Sequence, residues 1–120
     1  MYSQYIKKNY EQTKKYYLIA IDKGNSYAMF NLGRYYHNIE KNYEQTKKYY
    51  LMSIVKDNSY AMYNLAYYYY YIEKNYEQAK KYYLMAIDKG NTDAMNNLAC
   101  YYYNIEKNYE QAKKYYLMAI

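Results

Sequence analysis

The tetrapeptide Asn-Tyr-Glu-Gln begins at Asn9, Asn42, Asn75 and Asn108, an unbroken period of 33 residues in a chain of 120. Residues 9–41 and 42–74 are identical at 24 of 33 positions, and so are 42–74 and 75–107. No gap is needed to align them. A strict period of this length means that one small structural unit is built several times, each completing its core against its neighbours. The chain is therefore read as a single helical-repeat domain over residues 1–120, with units 1–8 (partial), 9–41, 42–74, 75–107 and 108–120 (partial).

Each unit reads as two helices. There is no Pro and there are only three Gly, too few for an all-β chain that turns every ~8–12 residues. The first helix follows Gly24-Asn25-Ser26, where Asn25 or Ser26 can accept from the unpaired amides of the first turn. Met29, Leu32, Gly33 and Tyr36 then recur at i, i+3, i+4 and i+7, one face of a helix. Gly33 and its counterparts Ala66 and Ala99 are small enough to let a neighbouring helix approach. A polar link, Asn38 to Lys41, precedes the second helix, which starts near Asn42 and turns Tyr43, Thr46, Tyr50, Ser53 and Ile54 inward. Gly24 and Gly90 suit left-handed C-terminal caps, a conformation that Asp57 in the second copy tolerates less well. The spacing predicts seven helices, one from the N-terminal half-unit and three pairs, with Met1 to Lys8 as a worn remnant of a first helix. About three-quarters of the chain should be helical, without strand, around Leu32, Leu65 and Leu98 with Tyr36, Tyr50 and Tyr83.

This pattern resembles the tetratricopeptide superfamily, and more closely its Sel-one-like repeat branch. The residues that carry the resemblance are Ala28, Leu32-Gly33, Tyr36, Asn42-Tyr43, Thr46, Tyr49-Tyr50, Ser53 and the closing Gly24-Asn25 and Gly90-Asn91. The link between the helices departs from the family by being about three residues shorter and lacking its glycines. The resemblance implies an all-α fold, an α-solenoid of stacked antiparallel helix pairs forming a right-handed superhelix. Its first helices would line a concave groove that holds protein or peptide partners.

The same resemblance places five columns of the first helix on that concave face. They are Tyr27, Phe30, Arg34, His37 and Asn38; then Tyr60, Tyr63, Tyr67, Tyr70 and Tyr71; then Asp93, Asn96, Cys100, Tyr103 and Asn104. All five columns vary among the three full units, whereas Glu44, Gln45, Lys47 and Lys48 repeat unchanged in each. Tuning of this row to a ligand explains the contrast, and so does chance after recent duplication. Tyr67 to Tyr71 are five consecutive tyrosines, which a helix cannot bury on one stripe. Tyr69 falls on the core column of Tyr36, which leaves Tyr63, Tyr67, Tyr70 and Tyr71 for the groove. Tyr outnumbers Phe 27 to 1. Its ring and hydroxyl serve interfaces well, yet an A/T-rich genome would also enrich Tyr, Asn, Lys and Ile.

Other chemistries find little support. A single Cys excludes a disulfide scaffold and a cysteine zinc site. His37 and Cys100 lie in different units without a base or nucleophile to match, so no catalytic residue, metal or cofactor is assigned. The net charge of +6 invites a nucleic-acid reading. However, the charge is +2 over 9–41, +1 over 42–74 and 0 over 75–107, and the lysine pairs Lys14-Lys15, Lys47-Lys48, Lys80-Lys81 and Lys113-Lys114 follow Glu11, Glu44, Glu77 and Glu110 at spacings that favour intrahelical ion pairs. No apolar run suits a membrane span or a signal peptide, which points to a reducing, cytoplasmic setting.

The expected function is a protein–protein interaction scaffold binding a peptide or helical segment in a Tyr-rich concave groove. A self-assembling structural element is the alternative, since Leu117-Met118-Ala119-Ile120 stands in mid-pattern without the polar face of a terminal repeat. Weak single-stranded nucleic-acid binding is a third possibility.

Overall fold

A computed structural model of the chain describes the backbone of residues 2–120 and the side chains of residues 7–120. Helix takes up 83% of the chain, and no strand occurs among the described residues. The α-helices are α1 (Tyr2–Asp22), α2 (Ser26–Tyr35), α3 (Tyr43–Val55), α4 (Ser59–Tyr68), α5 (Tyr76–Asp88), α6 (Thr92–Asn104) and α7 (Tyr109–Met118). They form two compact units: residues 1–58 hold α1 to α3, and residues 59–120 hold α4 to α7. In the first, α2 packs on α1 and on α3; in the second, α5 packs on α4 and α6, and α7 on α6.

The helix starts follow local chemistry. Asn25 and Asn91 accept from the amides of Ala28 and Ala94, and Asn42, Asn75 and Asn108 accept from Gln45, Gln78 and Gln111. Each satisfies an amide that the helix itself leaves unpaired. Gly24, Asp57 and Gly90 all turn left-handed after α1, α3 and α5, with φ of 80°, 69° and 82°.

Two of the three links differ from the four-residue polar connection expected from the sequence, while residues 105–108 form such a link between α6 and α7. Helices α2 and α4 run on through single π-turns, Tyr36–Glu40 and Tyr69–Glu73. Lys41 and Lys74 then turn left-handed, so only Lys41-Asn42 and Lys74-Asn75 lie outside helix. The amides of Asn42, Asn75 and Asn108 return to the carbonyls of Tyr36, Tyr69 and Tyr102 at 2.8–2.9 Å. The linker carboxylate holds the turn: Glu73 and Glu106 accept from the hydroxyls of Tyr68 and Tyr101, and Glu40 from Tyr35. A single five-residue turn thus replaces a longer loop.

The N-terminal segment also departs from expectation. Residues 2–8 are not a separate helix but the first turns of α1, and Asn9 lies inside it. Lys7 stands where Glu40, Glu73 and Glu106 stand in the other copies, so the carboxylate that holds the turn elsewhere is missing. Met1 lies outside the described residues.

The cores hold the expected residues. Leu32, Leu65, Leu98, Tyr50 and Tyr83 are at most 1% exposed, and Tyr36 is buried. Thr46 and Ser53 are fully buried with their hydroxyls donating to the carbonyls of Asn42 and Ser26, while Tyr43 and Ile54 are only half-buried. Two further tyrosine columns join the core. Tyr49, Tyr82 and Tyr115 lie nearly parallel to Tyr36, Tyr69 and Tyr102, at 5.8–5.9 Å between ring centres. Tyr68 and Tyr101 are buried beside them.

In two of the pairs the first lysine, Lys14 or Lys80, departs from the intrahelical pairing the spacing suggested. Lys14 on α1 reaches Glu40, in the link after α2, at 2.8 Å, and lies over the rings of Tyr35 and Tyr36. Lys80 on α5 likewise reaches Glu106 at 3.7 Å and lies over Tyr102. Packing brings the link of the following hairpin onto the lysine, where a carboxylate and an aromatic face meet it together.

Candidate functional site

In the second unit, the variable columns of α4 and its π-turn form a continuous chain of rings. Tyr63 lies 6.4 Å from Tyr67, Tyr67 4.4 Å from Tyr71, and Tyr71 4.7 Å from Tyr70. Tyr67 and Tyr71 are exposed, as is Tyr60 earlier on the helix. Tyr63 and Tyr70 anchor the chain of rings to α5 and α6 within the same unit. Tyr63 packs against Tyr83, and its hydroxyl accepts from Asn97. Tyr70 sets its ring against Tyr76 and Tyr101. Burial pushes the phenols of Tyr63, Tyr70 and Tyr71 up from their ordinary value, with the Asp93 carboxylate adding to the effect at Tyr63. All three are therefore neutral donors at physiological pH.

Helix α6 supplies the rest of this surface. Asp93, Asn96, Tyr103 and Asn104 are exposed and Cys100 is half-buried. The Cys100 sulfur lies 3.3 Å from the Tyr116 hydroxyl, so α7 also contributes to it. Tyr103 sets its ring edge-on to Tyr109 at 5.1 Å.

The corresponding columns of the first unit, Tyr27, Phe30, Arg34, His37 and Asn38, are less aromatic. Tyr27 is 61% exposed, and Arg34 and Asn38 are exposed. Phe30 is buried against Tyr50, with the Arg34 guanidinium over its ring, and belongs to the core rather than to an open face. His37 packs edge-on against Tyr43. Burial, with the nearby Lys41 charge, holds its imidazole below the ordinary range. Arg34 and Asn38 do share a cavity of about 270 Å³ with Tyr10, Thr13, Tyr17 and Asn31. The residues from α1 were not among the columns singled out from the sequence, because only the packing of α1 on α2 brings them to this face.

Among the described residues, no group of three or more His, Cys, Asp or Glu side chains could hold a metal ion. No helix among them is long and apolar enough to cross a membrane. The arrangement offers aromatic faces, phenol donors and isolated charges, the chemistry of reversible contact.

Solved structures with the same fold are known. A protective antigen of uropathogenic Escherichia coli that displays an SLR fold superposes with a TM-score of 0.79 at 27% identity, over 88% of this chain and 25% of that one. The immunity protein PA5088 of Pseudomonas aeruginosa superposes with a TM-score of 0.50 at 23% identity, over 88% of this chain and 55% of that one. The present chain thus spans a quarter to about half of the length of these proteins. Among curated proteins, none matches its sequence. The profile of the Sel1 repeat matches four times, at residues 1–25, 26–54, 59–91 and 92–120. With stacked helix pairs, a matching solenoid structure and repeats across nearly its whole length, the chain belongs to the Sel1 repeat family.

Proposed function

We propose that the chain is a non-catalytic interaction scaffold, working in a reducing, cytoplasmic setting, that holds a peptide or helical segment of a protein partner against its tyrosine-rich face. Sel1 repeats are generally protein-interaction scaffolds. The observation that carries the reading for this chain is the chain of rings from Tyr63 to Tyr70. Its two middle members, Tyr67 and Tyr71, are exposed, while the two at its ends, Tyr63 and Tyr70, are fixed by packing. Rigid aromatic anchors of this kind present contact area at little entropic cost and commonly dominate an interface. Asp93 beside Tyr63 supplies a charge by which a partner segment would be oriented.

The test is selection of peptides on the purified chain, followed by measurement of the selected peptides on variants. Tyr67→Ala combined with Tyr71→Ala should abolish binding, and Lys48→Ala should leave it nearly intact. If the lysine change mattered and the tyrosine changes did not, the basic face would replace the aromatic one, as the nucleic-acid reading requires. That reading is weakened by the engagement of the lysines: Lys14 and Lys80 meet glutamates, and Lys48, Lys81 and Lys114 lie over tyrosine rings.

Association between copies through α7 is a second reading, favoured by exposed Tyr109 and Leu117. Sedimentation tests it directly. A monomer at high concentration refutes it.

A further inference from the structure

Charge sets the ring face of α4 apart from the rest of the chain. The chain carries 17 Lys and Arg against 11 Asp and Glu, yet α4 with its π-turn (59–73) and α6 (92–104) contain no Lys, Arg or His. Their two charged residues are Glu73 and Asp93. Glu73 is occupied by the Tyr68 hydroxyl. The Asp93 carboxylate meets no cation among the described residues. Asp93 and Asn97 stand one turn apart on the same side of α6. Asn97 donates to the Tyr63 hydroxyl at 3.1 Å, which sets Asp93 at the Tyr63 end of the row of rings. Elsewhere in the chain, tyrosine rings are met by cations. Lys80 lies over Tyr102 at 5.1 Å with Glu106 at 3.7 Å, and Lys14 lies over Tyr36 at 5.2 Å with Glu40 at 2.8 Å. In both, a ring face and a carboxylate hold one cation together. Tyr63, Tyr67 and Asp93 supply rings and carboxylate, but among the described residues no Lys or Arg lies over Tyr63, Tyr67 or Tyr71. The rings of Tyr67 and Tyr71 are 4.4 Å apart, too close to admit a group between them, so a cation reaches them from their exposed side.

Given the aromatic interaction face proposed above, on which this step depends, we infer that its partner is a basic protein segment, an arginine of which stacks on the exposed Tyr67 ring and turns its guanidinium toward Asp93. The planar guanidinium can lie flat on a ring while it forks onto a carboxylate. Lysine meets the same two groups as a point charge and is held less well. General attraction cannot supply the preference, since a chain of net charge +6 repels a basic peptide as a whole. An acidic segment or a phosphate, by contrast, meets Asp93 and the negative faces of the rings and is turned away.

Three synthetic peptides that share their leucine and tyrosine positions, and carry arginine, glutamine or glutamate at the others, probe the face by fluorescence anisotropy on the full chain. The arginine peptide should bind about 10-fold more tightly than the glutamine peptide, and the glutamate peptide most weakly. Asp93→Asn should cut the arginine preference to about 3-fold while the glutamine peptide binds as before, and Asp93→Glu should keep it. Tyr67→Phe should retain the preference, because the ring and not the hydroxyl meets the charge, whereas Tyr67→Leu should lose it. Glu77→Gln removes an equal charge from outside this face and should change nothing. Circular dichroism of each variant confirms that the chain is folded. No binding of the arginine peptide, equal binding of the arginine and glutamine peptides, or a preference that Asp93→Asn and Glu77→Gln reduce alike overturns the inference. If the two peptides bind equally and Tyr67→Ala with Tyr71→Ala abolishes both, the aromatic face stands without its charge preference. If that double change weakens neither peptide, the aromatic face itself fails, and the basic partner with it.

Discussion

Replacing Gly33 by Ala should destabilise the first unit, although Ala is the better helix former and stands at the same position in both other copies. A Cβ built on Gly33 would lie 2.6 Å from Cδ1 and 2.7 Å from Cε1 of Tyr50, with the carbonyl of Thr46 at 3.4 Å. Carbon atoms in contact sit at about 3.5–4.0 Å, so the ring must retreat by roughly 1 Å. It has little room to do so. Tyr50 is 1% exposed and its ring also packs against Phe30, at 6.0 Å between ring centres. Overpacking of this kind costs about 1–3 kcal/mol, against which the helix preference of Ala over Gly returns about 1 kcal/mol. The net expectation is a loss of about 1 kcal/mol, a fall in Tm of about 3–5 °C for a chain of this length. Thermal and urea unfolding followed by circular dichroism measures both quantities. The double variant Gly33→Ala with Tyr50→Leu should lose less than the sum of the two single changes, because the smaller side chain removes the collision. A variant Gly33→Ala more stable than the parent, or strict additivity in the double variant, would refute the reasoning.

Tyr70→Ala should cost about 1–3 kcal/mol through lost packing on Tyr76 and Tyr101, whereas Tyr67→Ala should change stability by less than about 1 kcal/mol; urea unfolding separates them. The Lys14–Glu40 pair is partly exposed, at 28% and 35% of the two side chains, so a double-mutant cycle with Lys14→Met and Glu40→Gln should give a coupling of only about 0.5–1 kcal/mol. Its hydrogen bond to Lys14 holds the Glu40 carboxyl below its ordinary value and raises the Lys14 ammonium. The coupling should therefore fade as pH falls through the carboxyl's folded pKa, and again as pH rises past the ordinary lysine range. Burial, then the bond to Glu40, pushes the Tyr35 phenol up to about 12, and burial also raises Tyr50, Tyr83 and Tyr101. An acid whose folded pKa is raised stabilises the fold below its unfolded value and loses that contribution as pH climbs. Alkaline titration should accordingly show helix loss and tyrosinate absorbance rising together above about pH 10, and smooth ionisation with helix intact would contradict this.

The period, the asparagine caps, the left-handed closures at Gly24 and Gly90 and the buried leucines were legible in the chain because each depends on residues within a turn or two of one another. A left-handed residue needs Gly or a tolerant polar side chain, and an unpaired amide needs a nearby oxygen, wherever the helix lies. Tyrosine was the limit of that reading. It fills core columns, half-buried columns and exposed columns alike, so the repeat pattern set Tyr67 and Tyr71 on an open face but gave no place to Tyr68, which is buried, and did not show that Tyr63 and Tyr70 are half-buried. Only the approach of neighbouring helices sorts them, and the same approach places Phe30 under Arg34 and against Tyr50. Tertiary structure also decided the partner of Lys14. The sequence offers Glu11 one turn back, but the neighbouring hairpin brings Glu40 with two aromatic rings, and a charge that meets a carboxylate and a ring face together is held better than one in open water. The π-turns escaped the sequence reading for a different reason: the hydrogen bonds from Tyr35 and Tyr68 to Glu40 and Glu73 are local but span five residues, a spacing outside the i, i+3 and i+4 pattern of an α-helix.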